Sequence, residues 1–150
     1  MAWVVYGKYI ENLFTQAVPV DFDDNSTTTV KIALATSSYS PNIDTDQYWT
    51  AGSNYEVTGS NYTTKGNSCD NKTVSSPSSG VVTVDADDPA VWSQDAAGFS
   101  DARYAIMFKD TGTSNNSPLV AYYDLGTNQG NVAGDLTLTL DAANGIFTAS

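Results

Sequence analysis

A chain of 150 residues, 41% hydrophobic and 15% charged, is long enough to bury one core and reads as a single domain over 1–150. Its net charge of −11, from 6 basic and 17 acidic residues, excludes the clustered Lys/Arg face that nucleic acid needs, disfavours an anionic membrane surface, and permits a basic protein partner. The absence of histidine removes Ser-His-Asp and Cys-His nucleophilic sites and the usual zinc sites, and one cysteine leaves no internal disulfide framework.

Residues 1–20 are the one segment with helical spacing. Tyr6, Ile10, Leu13, Phe14 and Ala17 share a stripe, Pro19 ends it, and a short helix or arm is expected over about 8–17. Val4, Val5 and Tyr6 read equally well as strand. A polar turn follows at 21–26. From 28 to 36 the chain alternates, with Val30, Ile32 and Leu34 against Lys31, Ala33 and Ala35, as a strand with one buried face does.

Residues 37–53 show no clean period. They read as a long loop pinned by Tyr39, Ile43, Tyr48 and Trp49, with a turn of helix at 46–49. Short strand pieces are expected at 55–57 and 61–64, broken at Gly59. The runs 72–75 and 80–86 read as the arms of a hairpin turned by Ser-Ser-Pro-Ser-Ser-Gly. An acidic turn at Asp85, Asp87 and Asp88 leads past Pro89 and Trp92 to Ala-Arg-Tyr-Ala-Ile-Met-Phe-Lys at 102–109. That aromatic, β-rich run predicts the central strand of a sheet, buried on both faces.

Residues 118–124 predict a strand paired with 102–109, and 125–134 a Gly/Asn-rich loop. Leu136, Leu138 and Leu140 alternate with threonines as in a strand, Asn144-Gly145 signals a turn, and 146–148 predicts a last short strand. The expected fold is mainly β: an antiparallel sandwich or barrel of about eight strands with one short N-terminal helix. No apolar run reaches about 18 residues and no basic leader precedes an apolar segment, so neither a transmembrane helix nor a signal peptide is expected. The Asn-x-Ser/Thr triplets at Asn25, Asn61, Asn71 and Asn115 accordingly do not read as glycosylation sites.

Several groups are candidates for chemistry. Cys69 lies in a polar loop and reads as an incidental surface thiol rather than a nucleophile. The clusters Asp21/Asp23/Asp24, Asp44/Asp46 and Asp85/Asp87/Asp88 can converge on a hard cation, or serve as strand-end turn residues. The EF-hand pattern fails over 21–32, where Ser26 stands at the glycine position and Ile32 at the last, and no metal or cofactor is expected. Glu56 and Asp124 are the candidate carboxylates for glycoside hydrolysis, but the expectation is a protein without catalytic residues. The aromatics Tyr39, Tyr48, Trp49, Tyr55 and Tyr62 can form a sugar platform, anchor the long loop, or bury against another subunit. With Tyr6 they are the expected interface set. Arg103, the sole guanidinium, is expected to pair with Asp101, Asp124 or Asp135.

One series of residues carries a likeness. Lys31-Ile-Ala-Leu-Ala-Thr-Ser-Ser-Tyr-Ser-Pro-Asn-Ile-Asp-Thr-Asp is followed by Tyr48-Trp49 and Glu56-Val-Thr-Gly-Ser-Asn-Tyr-Thr. Then come Asn71-Lys-Thr-Val, Asp85-Ala-Asp-Asp, Val91-Trp92, Ala102-Arg-Tyr-Ala, Lys109-Asp-Thr-Gly-Thr, Ser117-Pro-Leu and Gly145-Ile-Phe-Thr. From about Met1 to Thr148 the series resembles a family of small virion accessory proteins of tailed bacteriophages. It departs from the family pattern at Thr64-Lys65 and in the Asn-rich loop 113–117, both surface loops. The resemblance implies a capsid decoration or cement protein, assembled in the host cytoplasm. Such a protein sits on the outside of the head as a homo-oligomer, often a trimer, bound to the major capsid protein and to copies of itself. A head–tail or tail component, docking through residues 1–20, is the alternative within the virion. A glycan-binding module using Tyr48, Trp49 and Tyr62 is the alternative outside it.

Overall fold

The computed structural model describes residues 2–15, 22, 30–141 and 143–149. Among them the chain forms β1 (Val4–Val5), α1 (Gly7–Thr15), β2 (Val30–Thr36), α2 (Thr50–Ser53), β3 (Asn67–Ser68), β4 (Thr73–Val74), β5 (Val82–Asp85), β6 (Ala102–Lys109), β7 (Leu119–Gln129) and β8 (Phe147–Ala149). The strands make two antiparallel sheets, ordered β1-β7-β6-β2-β3 and β4-β5-β8. Neither sheet closes on itself. The fold is mainly β, and of the two expected architectures the layered sandwich fits.

β6 is the middle strand of the larger sheet, as its composition predicts. Ile106 lies between Ala33 of β2 and Tyr122 of β7, and the next residue, Met107, between Ile32 and Ala121. Successive side chains point to opposite faces. Ala105, Ile106, Met107 and Phe108 are all buried, so both faces of the strand are covered. β2 is buried on both faces through Ala35 for the same reason, which corrects the one-faced reading of its alternation.

The segment 37–57 covers the face that carries Tyr104, Ile106 and Phe108. Trp49 stacks on Phe108, and Tyr39 meets Tyr104 edge-on. This long connection is stitched down rather than free. The Trp49 N–H donates to Ser117 O, Leu119 N–H to Gln47 O, Thr36 N–H to Tyr55 O and Val57 N–H to Leu34 O. Its helical turn falls at Thr50–Ser53, one step later than expected.

The hairpin β4–β5 forms as predicted. Ser79 and Gly80 both take positive φ (52° and 82°), and Ser78 and Val81 exchange backbone hydrogen bonds across them, a two-residue loop whose twist suits flanking strands.

Three expectations fail for physical reasons. β7 runs on to Gln129 where a loop was expected. Pairing of Gln129 with Ala102 holds it, and Gly126 at φ 80°, its N–H on Asp124 Oδ1, absorbs the irregularity. The leucine alternation at 135–141 makes no ladder. Leu136 exchanges both backbone bonds with Trp92, Leu140 N–H goes to the Asp88 carboxylate, and Leu138 and Leu140 are buried, so the pattern reports packing without a sheet. Of the pieces at 55–57 and 61–64, only Glu56 bridges to a strand, and Asn61 at φ 59° turns the chain instead.

α1 spans 7–15 rather than 8–17, residues 16 and 17 lying outside those described. Of the predicted stripe, Tyr6 is buried, Ile10, Leu13 and Phe14 are exposed, and Ala17 lies outside the described residues. Tyr9 and Asn12 point inward, with Tyr9 edge-on to Phe147 and Asn12 Oδ1 accepting from Gln47 Nε2. Among the described residues no helix is long and apolar enough to cross a membrane.

Candidate interaction surface

The six aromatics expected at an interface divide. Tyr6, Tyr39 and Trp49 lie inside the chain's own core, at 0%, 3% and 1% exposure, and offer nothing to a partner or a sugar. The reason is local. Tyr6 and Tyr39 join hydroxyls at 3.0 Å, Tyr39 donates on to Asp46 Oδ2 at 2.8 Å, and burial pushes both phenols well above their ordinary pKa. Trp49 fills the space over Phe108, beside Gly52. Tyr62 is half-buried. Its hydroxyl accepts from Leu34 N–H and donates to Glu56 Oε1, and its ring meets Phe99 edge-on. Tyr48 is half-buried at the Pro118 bridge. Tyr55 alone is exposed, stacked on Tyr39. The sugar platform of Tyr48, Trp49 and Tyr62 therefore does not form: Trp49 is buried on Phe108, and Tyr62 is turned to Leu34, Glu56 and Phe99.

The two carboxylates considered for glycoside chemistry are held apart. Glu56 pairs with Ala35, Ala35 with Tyr104, and Tyr104 with Asp124, so the two acids end one row across four strands. Three strand spacings put their backbones about 14 Å apart. Each is also engaged. Burial raises the Glu56 pKa against the lowering pull of the Tyr62 hydroxyl and the Lys65 backbone N–H, both of which donate to it. Asp124 takes a bidentate fork from Arg103, Nε to Oδ1 at 2.6 Å and Nη2 to Oδ2 at 2.9 Å, which holds its carboxyl below the ordinary range. Of the three partners foreseen for Arg103, the structure selects Asp124.

Cys69 is fully buried, not a surface thiol. Its N–H bonds to Val30 O beside β2, and burial pushes the thiol up to about 12. Asp46 is committed to Tyr39 and Asn42 N–H, Asp87 to Asn71, and Asp88 to Leu140 N–H. Asp85 Oδ1 is buried without a partner. Among the described residues, no group of three or more acidic, His or Cys side chains is placed to hold a metal ion. Asp21, Asp23 and Asp24 lie outside those residues.

What sequence reasoning missed is the outward face of α1. Ile10 is 39% exposed, Leu13 44% and Phe14 86%. The stripe is visible as i, i+3 and i+4 spacing, but the spacing does not say which way it faces, and the expected interface set takes only Tyr6 from it. Including Tyr9 widens the apolar arc from Tyr9 through Leu13, Tyr6 and Ile10 to Phe14, more than one contact can cover. That width is the signal that part of it faces outward. Four of the six basic side chains sit in ion pairs: Lys8 with Glu11, Lys31 and Lys65 with Asp110, and Arg103 with Asp124.

No family model, curated protein or solved structure matches this chain.

Proposed function

We propose that the protein is a structural component of a tailed-bacteriophage virion. It acts as a capsid decoration or cement protein that binds the major capsid protein on the outside of the head as a homo-oligomer and turns over no substrate. The observation that carries this reading is the exposed Ile10–Leu13–Phe14 stripe on a fold whose other large aromatics are mostly spent on internal packing. Clustered exposed apolar side chains are the mark of a surface made to be covered. The ordered series of residues resembling virion accessory proteins supports the choice of particle. A strongly acidic chain suits a position outside the shell, away from packaged DNA.

The test is to add purified protein to heads assembled without it. Co-sedimentation and greater resistance of the heads to heat are expected. A protein that neither binds nor protects them is not a cement protein. The location of α1 within residues 1–20 keeps a head–tail or tail role as the second reading. That role predicts copies confined to one ring rather than spread over the shell.

A further inference from the structure

The stripe on α1 has a definable rim. The Gly7 N–H at the start of the helix donates to Ile43 O, which places the exposed Ile43 beside the helix N-terminus. Asp44 follows it, exposed, its carboxylate reaching to within 4.0 Å of where a side chain on Gly7 would begin. Lys8, the helix's one cation, is neutralised by Glu11 at 2.5 Å. Among the described residues this leaves Asp44 as an unpaired acidic charge at this end of the helix, on a chain of net −11.

We propose that Ile10, Leu13 and Phe14 dock onto a protein surface that is apolar at its centre and basic at its rim, and not onto a second copy of this chain. This rests on the reading of the protein as one that works by adhesion, but not on which particle it adheres to. Two arguments select the partner. The exposed parts of these three side chains and Ile43 offer on the order of 400 Å², about half of what one side of a stable interface buries. Apolar area alone is therefore too small, and the contact needs attraction from its rim or repetition over many copies. A second copy docked through this stripe supplies neither: it brings the same acidic rim to the contact, which repels. A basic partner supplies the first, and a shell of repeated subunits supplies both.

The probe is an amphipathic Leu/Lys peptide of about 14 residues, four helical turns. It is compared with a Lys/Ser peptide of equal charge and a Leu/Glu peptide of equal apolarity, using the intact chain. The chain is expected to bind the Leu/Lys peptide in preference to both others. Leu13→Ser with Phe14→Ser should weaken that binding by about tenfold or more, as loss of a central contact does, while the fold survives with a modestly lower melting temperature, Leu13 being 44% and Phe14 86% exposed. Equal binding by the variant, or equal binding of the Leu/Glu peptide, overturns the proposal. So does stripe-dependent self-association in sedimentation, or stripe-dependent uptake on phosphatidylcholine vesicles. If the peptide behaves as expected and undecorated heads bind nothing, the docking chemistry stands and the virion reading falls. If heads bind equally with and without the stripe, the docking chemistry alone falls.

Discussion

Trp49 lies flat on Phe108, ring centroids 4.7 Å apart and planes 9° from parallel, with no room for anything larger than glycine at position 52. A Cβ at Gly52 would stand 2.8 Å from the Trp49 ring and 3.3 Å from Ile106 Cδ1. The contact fixes the 37–57 segment to the central strand. Trp49→Ala should cost about 3–5 kcal/mol by leaving a cavity over Phe108. Gly52→Ala should cost about 1–3 kcal/mol by overpacking it. Denaturant unfolding measures both, and a loss under 1 kcal/mol for Trp49→Ala would mean the ring is not packed there.

Asn131 ties three loops in one place. Its Oδ1 accepts from Phe99 N–H at 2.9 Å, and its Nδ2 donates to Ser60 O and Ser93 O at 3.1 and 2.9 Å, all from a fully buried position. Removing the amide strands the buried Phe99 N–H, worth about 1–3 kcal/mol unpaired, and takes the donor from the part-buried bonds to the carbonyls of Ser60 and Ser93. Asn131→Ala is expected to lower stability by several kcal/mol, and Asn131→Asp to lower it too, because a carboxylate cannot donate to the two carbonyls. An Asp variant as stable as the wild type would contradict this assignment of the bonds.

The Cys69 thiol is buried and held up to about 12, against an ordinary 9.0, chiefly by burial and against the lowering influence of Lys72. Thiolate is the reactive form. The folded protein should therefore resist a thiol reagent such as dithionitrobenzoate at neutral pH and react stoichiometrically once unfolded by guanidinium. Fast labelling of the native chain would place the sulfur elsewhere.

Two carboxylates give opposite pH dependences. Burial would raise Asp110, but Lys65, the Gly112 N–H and Lys31 together outweigh it and hold the carboxyl below its ordinary 3.8. The folded state then binds that proton less tightly than the unfolded chain, so the stability is present above about pH 4 and is lost as pH falls through the folded value. Glu56 is raised above its ordinary 4.5, so its contribution is present below that value and fades as pH rises through the folded one. Melting curves of wild type, Asp110→Asn and Glu56→Gln between about pH 3 and pH 7 separate the two. The advantage of wild type over Asp110→Asn should shrink toward acid. The balance between wild type and Glu56→Gln should move toward the variant as pH rises. Parallel curves for all three would show that neither group is perturbed.

The parts of this fold legible in the sequence are those set by local chemistry. The run at 102–109 reads as a two-sided strand because aromatic and apolar residues succeed one another without a polar face, and it is the middle strand. The Ser79-Gly80 turn reads from its glycine and polar residues, and its partner strands follow. Leu136, Leu138 and Leu140 mislead because alternation reports one buried side, and here that side packs with a single bridge, Leu136 to Trp92, in place of a ladder. Residues 125–129 mislead in the other direction, since pairing of Gln129 with Ala102 outweighs the weak strand propensity of Gly126 and Asn128. At the candidate surface, composition separates aromatics from polar loop but not inward from outward. Tyr39 and Trp49 turn in because a hydroxyl and a ring across the sheet receive them, contacts far apart in sequence. Phe14 turns out because Tyr9 and Asn12 take the inward positions on the same helix.

The claim that matters most is that this chain works by its α1 face. Electron cryomicroscopy of heads carrying the protein tests it most directly. The account predicts many copies over the outer shell, each with Ile10, Leu13 and Phe14 buried against a capsid-protein subunit rather than another copy of this chain. Copies whose α1 points into solvent while another face makes the contact, or heads that carry none of the protein, would contradict it.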